Sequence, residues 1–347
     1  MQPPVVDKLG TSLIVGKGNR VRRSVLSDRA REIGELVRGG QPVCIVSSGA
    51  IALGLPRLGL ERRPRSVPKL QAASALGQAR LHAAWERELG RAGVPAAQIL
   101  LTAGEIADRG AYVNVRNALG ALFAFAAVPV VNENDAVATD EITFGDNDAL
   151  AAQVAVLLRA RLLVLLTEVG GVYTRAPGTP GAELISEGSA VREAVLGEAS
   201  SLGRGGMRSK VLAAEMAASA GIPTVIAGGT GAQVLGPILA GEPRGTRFGA
   251  PERAEPAYKL WLRFGKSVEG RLHLDAGAQR AVVEDGRSLL AVGVARVEGR
   301  FEAGDGVELV GPDGAVFGKG VAAAGADELA GRPRGVEAVH RDRLVLF

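Results

Sequence analysis

The chain has 347 residues, 47% of them apolar, which is long for one typical domain and supplies enough apolar surface for two cores. Its single cysteine, Cys44, excludes intrachain disulfides and cysteine-based zinc sites and fits a reducing cytoplasm. No basic arm or charge block stands out behind the net charge of +4, and residues 258–347 carry 13 basic against 13 acidic side chains, so that segment is neutral.

The first apolar run that reads as a buried strand is Val5 to Leu9, and others follow at Pro42–Ser47, Gln98–Leu101, Val128–Val131, Leu162–Thr167 and Pro223–Ala227. Helical patterns separate them. One is expected to open at Ser27-Asp28, with Ile33, Leu36 and Val37 on one face. Others span Ser66–Leu89, with Pro68 in the first turn, then Arg109–Phe125, Asn147–Leu158 and Met207–Ala220. Alternation of this kind predicts an α/β fold, a mostly parallel central sheet sandwiched between helices. The longest uncharged apolar stretch, Ala118–Val131, is too short to span a bilayer, and Met1–Pro4 lacks the basic and apolar regions of a signal peptide, so a cytoplasmic protein is expected. After residue 250 the pattern changes. A Pro/Glu-rich linker at 251–263 is followed, over 264–347, by short strand-like pieces punctuated by glycine, as in a small β-barrel-like domain.

The densest chemistry follows the fourth strand. Asn132, Asn134, Asp135, Asp146, Asn147 and Asp148 leave its carboxyl end, where ligands bind in open α/β sheets. Four loops rich in glycine or serine stand at other strand ends: Lys8–Ser12, Ser47–Ala50, Gly203–Lys210 and Gly228–Gly231. Small residues let backbone N–H groups approach an anion, and a helix start adds its dipole. Gly10 to Lys17 is not a Walker loop, because five residues separate Gly10 from Gly16 and Gly18 stands at the Ser/Thr position. Ser48 lacks the upstream glycine of a nucleophile elbow, and His82, His273 and His340 are scattered, so a histidine-dependent hydrolase is disfavoured. The acids do not have EF-hand spacing, and no protein-held metal is expected. Lys8, inside an apolar strand, is either functional or a side chain snorkelling to an edge.

Together these segments resemble the glutamate 5-kinases of the amino-acid kinase family, with a C-terminal PUA domain. The resemblance rests on Lys8-Leu9-Gly10-Thr11-Ser12, Ser48-Gly49-Ala50-Ile51-Ala52, Asn132-Glu133-Asn134-Asp135-Ala136-Val137-Ala138, Phe144-Gly145-Asp146-Asn147-Asp148, Gly171-Val172-Tyr173-Thr174 and Gly205-Gly206-Met207 with Lys210. In the tail, Val297–Asp305 and Val339–Asp342 resemble the PUA pattern. The resemblance implies transfer of the ATP γ-phosphoryl group to the side-chain carboxylate of L-glutamate, in proline synthesis. With it come Mg2+ carried on the ATP phosphates, feedback inhibition by proline and a homo-oligomer. It assigns Lys8 and Lys210 to the transferred phosphoryl group, with Asp148 orienting both. Ser48, Asp135 and Asn147 become substrate contacts, Asn132 and Asn134 further acceptors for the substrate ammonium, and the Gly49 and Ala50 N–H groups donors to its carboxylate. Gly10, Thr167, Glu168 and the segment Arg204, Gly205, Gly206, Met207, Arg208, Ser209 and Lys210 fall at nucleotide positions. A carboxylate nucleophile, with an ordinary pKa of about 4.3, is already ionised and needs no general base. Catalysis must then come from positioning and from cations.

Three residues depart from the family pattern: Asp7, where an aliphatic residue is usual, Glu168 for aspartate, and Arg204 for threonine. A buried Asp7 is expected to cost stability without abolishing catalysis, because Lys8 points to the opposite pleat face. Two other readings are another amino-acid kinase with a different acceptor, and an RNA-binding or regulatory protein built on the PUA domain. The neutral charge of that domain argues against the latter.

Overall fold

The structure is a computed structural model and describes residues 2–102, 105–106, 109–137, 146–191, 206–251, 259, 262–263, 266 and 268–347. The chain divides into two compact units, Met1–Ala254 and Glu255–Phe347.

In the first unit the strands are β1 (Val5–Leu9), β2 (Val15–Gly16), β3 (Arg20–Val21), β4 (Val43–Ser47), β5 (Ala96–Leu101), β6 (Val128–Glu133), β7 (Leu162–Thr167), β8 (Thr224–Gly228) and β9 (Thr246–Phe248). The helices are α1 (Thr11–Ile14), α2 (Arg23–Arg38), α3 (Ala50–Gly54), α4 (Val67–Arg91), α5 (Arg109–Ala124), α6 (Asp146–Leu158), α7 (Gly206–Ser219) and α8 (Leu235–Leu239). Seven strands form one sheet in the order β5-β6-β4-β1-β7-β8-β9, parallel except for β9, which runs antiparallel to β8. From β1 the chain builds outward through β4, then returns to add β7 on the other side. Such a reversal opens a crevice at the carboxyl ends of the strands. The helix expected at Ser27-Asp28 in fact starts at Arg23, a turn earlier, because Leu26 is already buried and extends the apolar stripe toward the N-terminus.

All five residues of β1 are buried, with Lys8 in register with Val46 of β4 and Leu165 of β7. A strand covered on both faces should be uniformly apolar, so Asp7 and Lys8 are the anomalies. On one face Val5 and Leu9 join the core made with Leu26, Ala30 and Ile33 of α2 and Leu81, Trp85 and Leu89 of α4. Burial of each leucine there is worth about 1.5–3 kcal/mol. Trp85 also donates from Nε1 to Ser47 Oγ at 2.9 Å, fastening α4 to the end of β4.

The α3/α4 contact is made by backbone. A Cβ at Gly54 would overlap the Ala73 carbonyl, and one at Gly77 the Ala50 carbonyl, so no other residue fits at either place without moving a helix. Gly49, the N-cap of α3, has φ 114° and needs glycine for its conformation.

The second unit is a six-stranded sheet in the order β11-β15-β14-β13-β10-β12: β10 (Gly270–Leu274), β11 (Leu289–Leu290), β12 (Val294–Gly299), β13 (Gly306–Val310), β14 (Val316–Ala322) and β15 (Glu337–Leu346). Its own core gathers Leu272, Leu274, Phe301, Leu309, Leu329 and Val339. The linker expected at 251–263 falls mostly outside the described residues. No helix among the described residues is long and apolar enough to cross a membrane.

Candidate active site

The carboxyl ends of β1, β4 and β6 open into a cavity of about 480 Å3, closed on its other side by the first turns of α6 and α7. Lys8 enters it from β1 because its pleat face is turned to α6, away from α2. Asp148 lies in the first turn of α6, where the helix dipole favours an anion. Lys210 is the fifth residue of α7.

These three side chains form one cluster. Lys8 Nζ is 2.5 Å from Asp148 Oδ1, and Lys210 Nζ is 3.2 Å from Oδ2. Ser209 donates to the same Oδ2 at 2.6 Å, and Lys210 also donates to the Gly206 carbonyl at 3.2 Å. Burial alone would raise the Asp148 pKa, but the two ammonium groups and the Ser209 hydroxyl outweigh it and hold the carboxyl below its usual range. Burial pulls Lys8 down to about 8, helped by Lys210 and opposed by Asp148. The cluster is two cations held together by one anion.

Beside it lies a chain of neutral amides. Asn147 Nδ2 donates to Ser48 Oγ at 3.1 Å and to Asn132 Oδ1 at 3.0 Å, and Asn132 Nδ2 donates to Gln78 Oε1 on α4 at 2.7 Å. Asp135 accepts from Ser74 Oγ, also on α4, at 2.5 Å. Burial raises the Asp135 pKa, with the Ser74 hydrogen bond and the Arg63 charge acting against the rise.

Lys8, Gly10, Ser48, Gly49, Ala50, Asn132, Asp135, Asn147, Asp148, Gly206 and Lys210 all line the cavity, bringing residues from five elements and more than 200 positions of sequence to one place. Asn134, Thr167, Glu168, Met207, Arg208 and Ser209 do not. Asn134 instead turns its backbone N–H to the Leu101 carbonyl at 2.8 Å, and Glu168 pairs with Arg22 at 3.2 Å on the surface. Arg204 and Gly205 lie outside the described residues, as do Ala138, Phe144 and Gly145 of the two Asn/Asp motifs, and nothing is described of the Asp146 side chain. Sequence reasoning missed Gln78 and Ser74. Their signal was present: Ser74, Gln78, Leu81 and Trp85 fall at i, i+4, i+7 and i+11, so two polar residues interrupt a stripe that is otherwise core.

A buried pair of lysines converging on one carboxylate suits a polyanion, and the adjoining array of amides, hydroxyl and carboxylate suits a small zwitterion. Comparison with known proteins decides the family. Residues 3–228 match the model of the amino acid kinase family, and residues 270–341 match that of the PUA domain. The chain belongs to the amino acid kinase family. It is 41% identical to a glutamate 5-kinase of Cupriavidus metallidurans, over 99% of this chain and 97% of that one. It is 44% identical to a glutamate 5-kinase of Gloeobacter violaceus, over 98% of each. A solved structure titled as an isopentenyl phosphate kinase superposes with a TM-score of 0.50 at 23% identity, covering 70% of this chain and 99% of that one, and speaks for the fold alone. This amino acid kinase is thus an α/β kinase with an added PUA domain.

Proposed function

We propose that the chain transfers the γ-phosphoryl group of ATP to the side-chain carboxylate of L-glutamate, forming L-glutamyl 5-phosphate at the first step of proline synthesis in the cytoplasm. The observation that carries this reading is the cluster of Lys8, Asp148 and Lys210 in one cavity with the chain of Ser48, Asn147 and Asn132 and with Asp135. The relatives at 41% and 44% identity support glutamate as the acceptor.

In this reading the acceptor carboxylate attacks the γ-phosphorus while ADP leaves, and no proton moves. The obstacle is repulsion between the carboxylate and the triphosphate, and Lys8 and Lys210 offset it from two elements, β1 and α7. Asp148 keeps both ammonium groups in place before the nucleotide arrives. Asp135 takes the substrate ammonium, with Asn132 and Asn147 as further acceptors, while Asn134, outside the cavity lining, is left without that role; the Ser48 hydroxyl with the Gly49 and Ala50 N–H groups takes the α-carboxylate. Gly10, Thr167, Glu168 and the segment from Arg204 to Lys210 hold the nucleotide. No group of three acids, histidines or cysteines suited to a metal occurs among the described residues, and both Asp148 oxygens face ammonium groups. Those residues fit Mg2+ that would arrive on the ATP phosphates and would there offset phosphate charge.

We assign 1–250 to the catalytic domain, 251–263 to the linker and 264–347 to the PUA domain. The division of the chain near residue 254 supports this. Proline is assigned as an inhibitor competing for the glutamate pocket, and the enzyme as a homo-oligomer. RNA is not a partner in this reading, because residues 264–347 carry 11 basic against 13 acidic side chains and so offer no basic footprint. The test is Mg-ATP turnover with L-glutamate in the presence of hydroxylamine, which traps an acyl phosphate as a hydroxamate, with L-aspartate and N-acetylglutamate run in parallel. Hydroxamate formed with glutamate alone, and suppressed by proline, is the expected result. Preference for another acceptor, or no hydroxamate from folded, ATP-binding protein, overturns the assignment.

A further inference from the structure

We infer that Gln78 is a positioning residue for the acceptor substrate, acting through Asn132 and Asn147 to fix the direction in which Ser48 presents its hydroxyl. This rests on the glutamate reading above.

The argument is one of donor and acceptor order. Gln78 is buried, and its Oε1 accepts from Asn132 Nδ2. An amide that gives its NH2 in one direction offers its carbonyl in the other. Asn132 Oδ1 therefore accepts from Asn147 Nδ2, whose second hydrogen goes to Ser48 Oγ. Ser48, already an acceptor, keeps its own O–H to donate into the cavity it lines. The order runs one way across four residues on α4, β6, α6 and the end of β4. Reversing the Asn132 amide would set two carbonyl oxygens against each other at Gln78 and two NH2 groups against each other at Asn147. In a low-dielectric site such chains also polarise one another, so the far end is sensitive to the near end.

A second observation separates this from packing. Gln78 Nε2 is buried without a hydrogen-bond partner among the described residues. An amide kept only to fill space would leave a costly orphan donor that leucine or methionine would not. Only the acceptor oxygen of Gln78 is used. Its place is held by the adjacent Gly77, which lets α4 touch α3, and Ser74 one turn earlier on the same face holds Asp135.

The experiment measures KM for glutamate, KM for ATP, kcat and melting temperature in wild type, Gln78→Met, Gln78→Glu and Asn147→Ala. Gln78→Met removes the acceptor at similar volume and should raise the glutamate KM about tenfold, the worth of one neutral hydrogen bond. Its kcat and ATP KM should stay within about twofold of wild type. Gln78→Glu, which still offers an oxygen to Asn132, should recover most of the loss, and it carries the test if Gln78→Met does not fold. Combined with Asn147→Ala, the effect of Gln78→Met on the glutamate KM should largely vanish, since both act on one chain. Additive effects, an unchanged glutamate KM, or equal losses in both Gln78 variants would overturn the inference. Wild type that forms no glutamyl hydroxamate would overturn the function reading itself, a different and earlier failure.

Discussion

Asp7 and Lys8 are neighbours on one buried strand, and the two faces of β1 treat their charges in opposite ways. Toward α6, Lys8 meets Asp148 at 2.5 Å and the charge is retained. Toward α2, Asp7 is fully buried, neither of its oxygens has a hydrogen-bond partner among the described residues, and its pKa is pushed up to about 7. Burial drives that rise, Arg29 opposes it and Glu32 adds to it. Arg29 cannot serve Asp7 fully because it is paired with Glu32 and bonded to the Gly231 carbonyl, while Glu32 also accepts from the N–H groups of Val234 and Gly236. A buried charge persists where a partner is dedicated to it, and otherwise tends to neutralise. One face of the strand turns to the candidate active-site cavity; the other carries a stability cost.

The largest expected effect breaks the paired face. Lys210→Ala should lower kcat about 100- to 1,000-fold with only a small change in melting temperature, because in the proposed reaction it removes a cation at the transferred phosphoryl group. Asp135→Ala, in the same cavity, should instead raise the glutamate KM chiefly, and steady-state kinetics on both variants would expose equal patterns if the roles are not separate. On the unpaired face, Asp7→Asn should stabilise the protein at pH 8. With its folded pKa raised above the unfolded value of 3.8, Asp7 binds its proton more tightly when folded. Its contribution is therefore complete below pH 4, falls as pH rises toward 7, and is flat beyond, a loss of about 4 kcal/mol in all. Denaturant titrations between pH 4 and 8 should show the variant's advantage growing over that interval, and a constant difference would show that Asp7 does not titrate there. The smallest effect concerns Lys8, whose charge the proposed reaction needs and whose pKa burial pulls down to about 8. The kcat/KM for ATP should fall up to tenfold per pH unit above that value. Lys8→Arg, permanently charged, should lose this alkaline limb even if it is slower, and a limb that survives the change belongs to another group.

Six strands of the first unit were legible because each is a short apolar run ended by glycine, serine or polar residues, whereas β2, β3 and β9 are two or three residues long, lack such a run and were not read; the Asn/Asp segments stood out at the end of β6. Asp7 could be read as misplaced, since a carboxylate in an apolar run has no local explanation. What could not be read was its neighbourhood: Arg29 and Glu32 lie more than 20 residues away, and their pairing with each other is a tertiary fact. Gln78 was hidden for a related reason. One polar residue on a long helix is ordinary, and only the placement of α4 under β6 makes it part of a site. The start of α2 was misjudged because Ser27-Asp28 looks like a cap, whereas burial of Leu26 decided the boundary.

The glycine contact between α3 and α4 sets a limit on engineering. With Gly54 against Ala73 and Gly77 against Ala50, the two helices leave no room for a Cβ between them, and a side chain at either place can only force them apart. Neither glycine can compensate for a change in the other. A new acceptor preference is thus to be sought by exchanging side chains on a fixed frame, at Ser74, Gln78 and their partners, and not by resizing the frame itself.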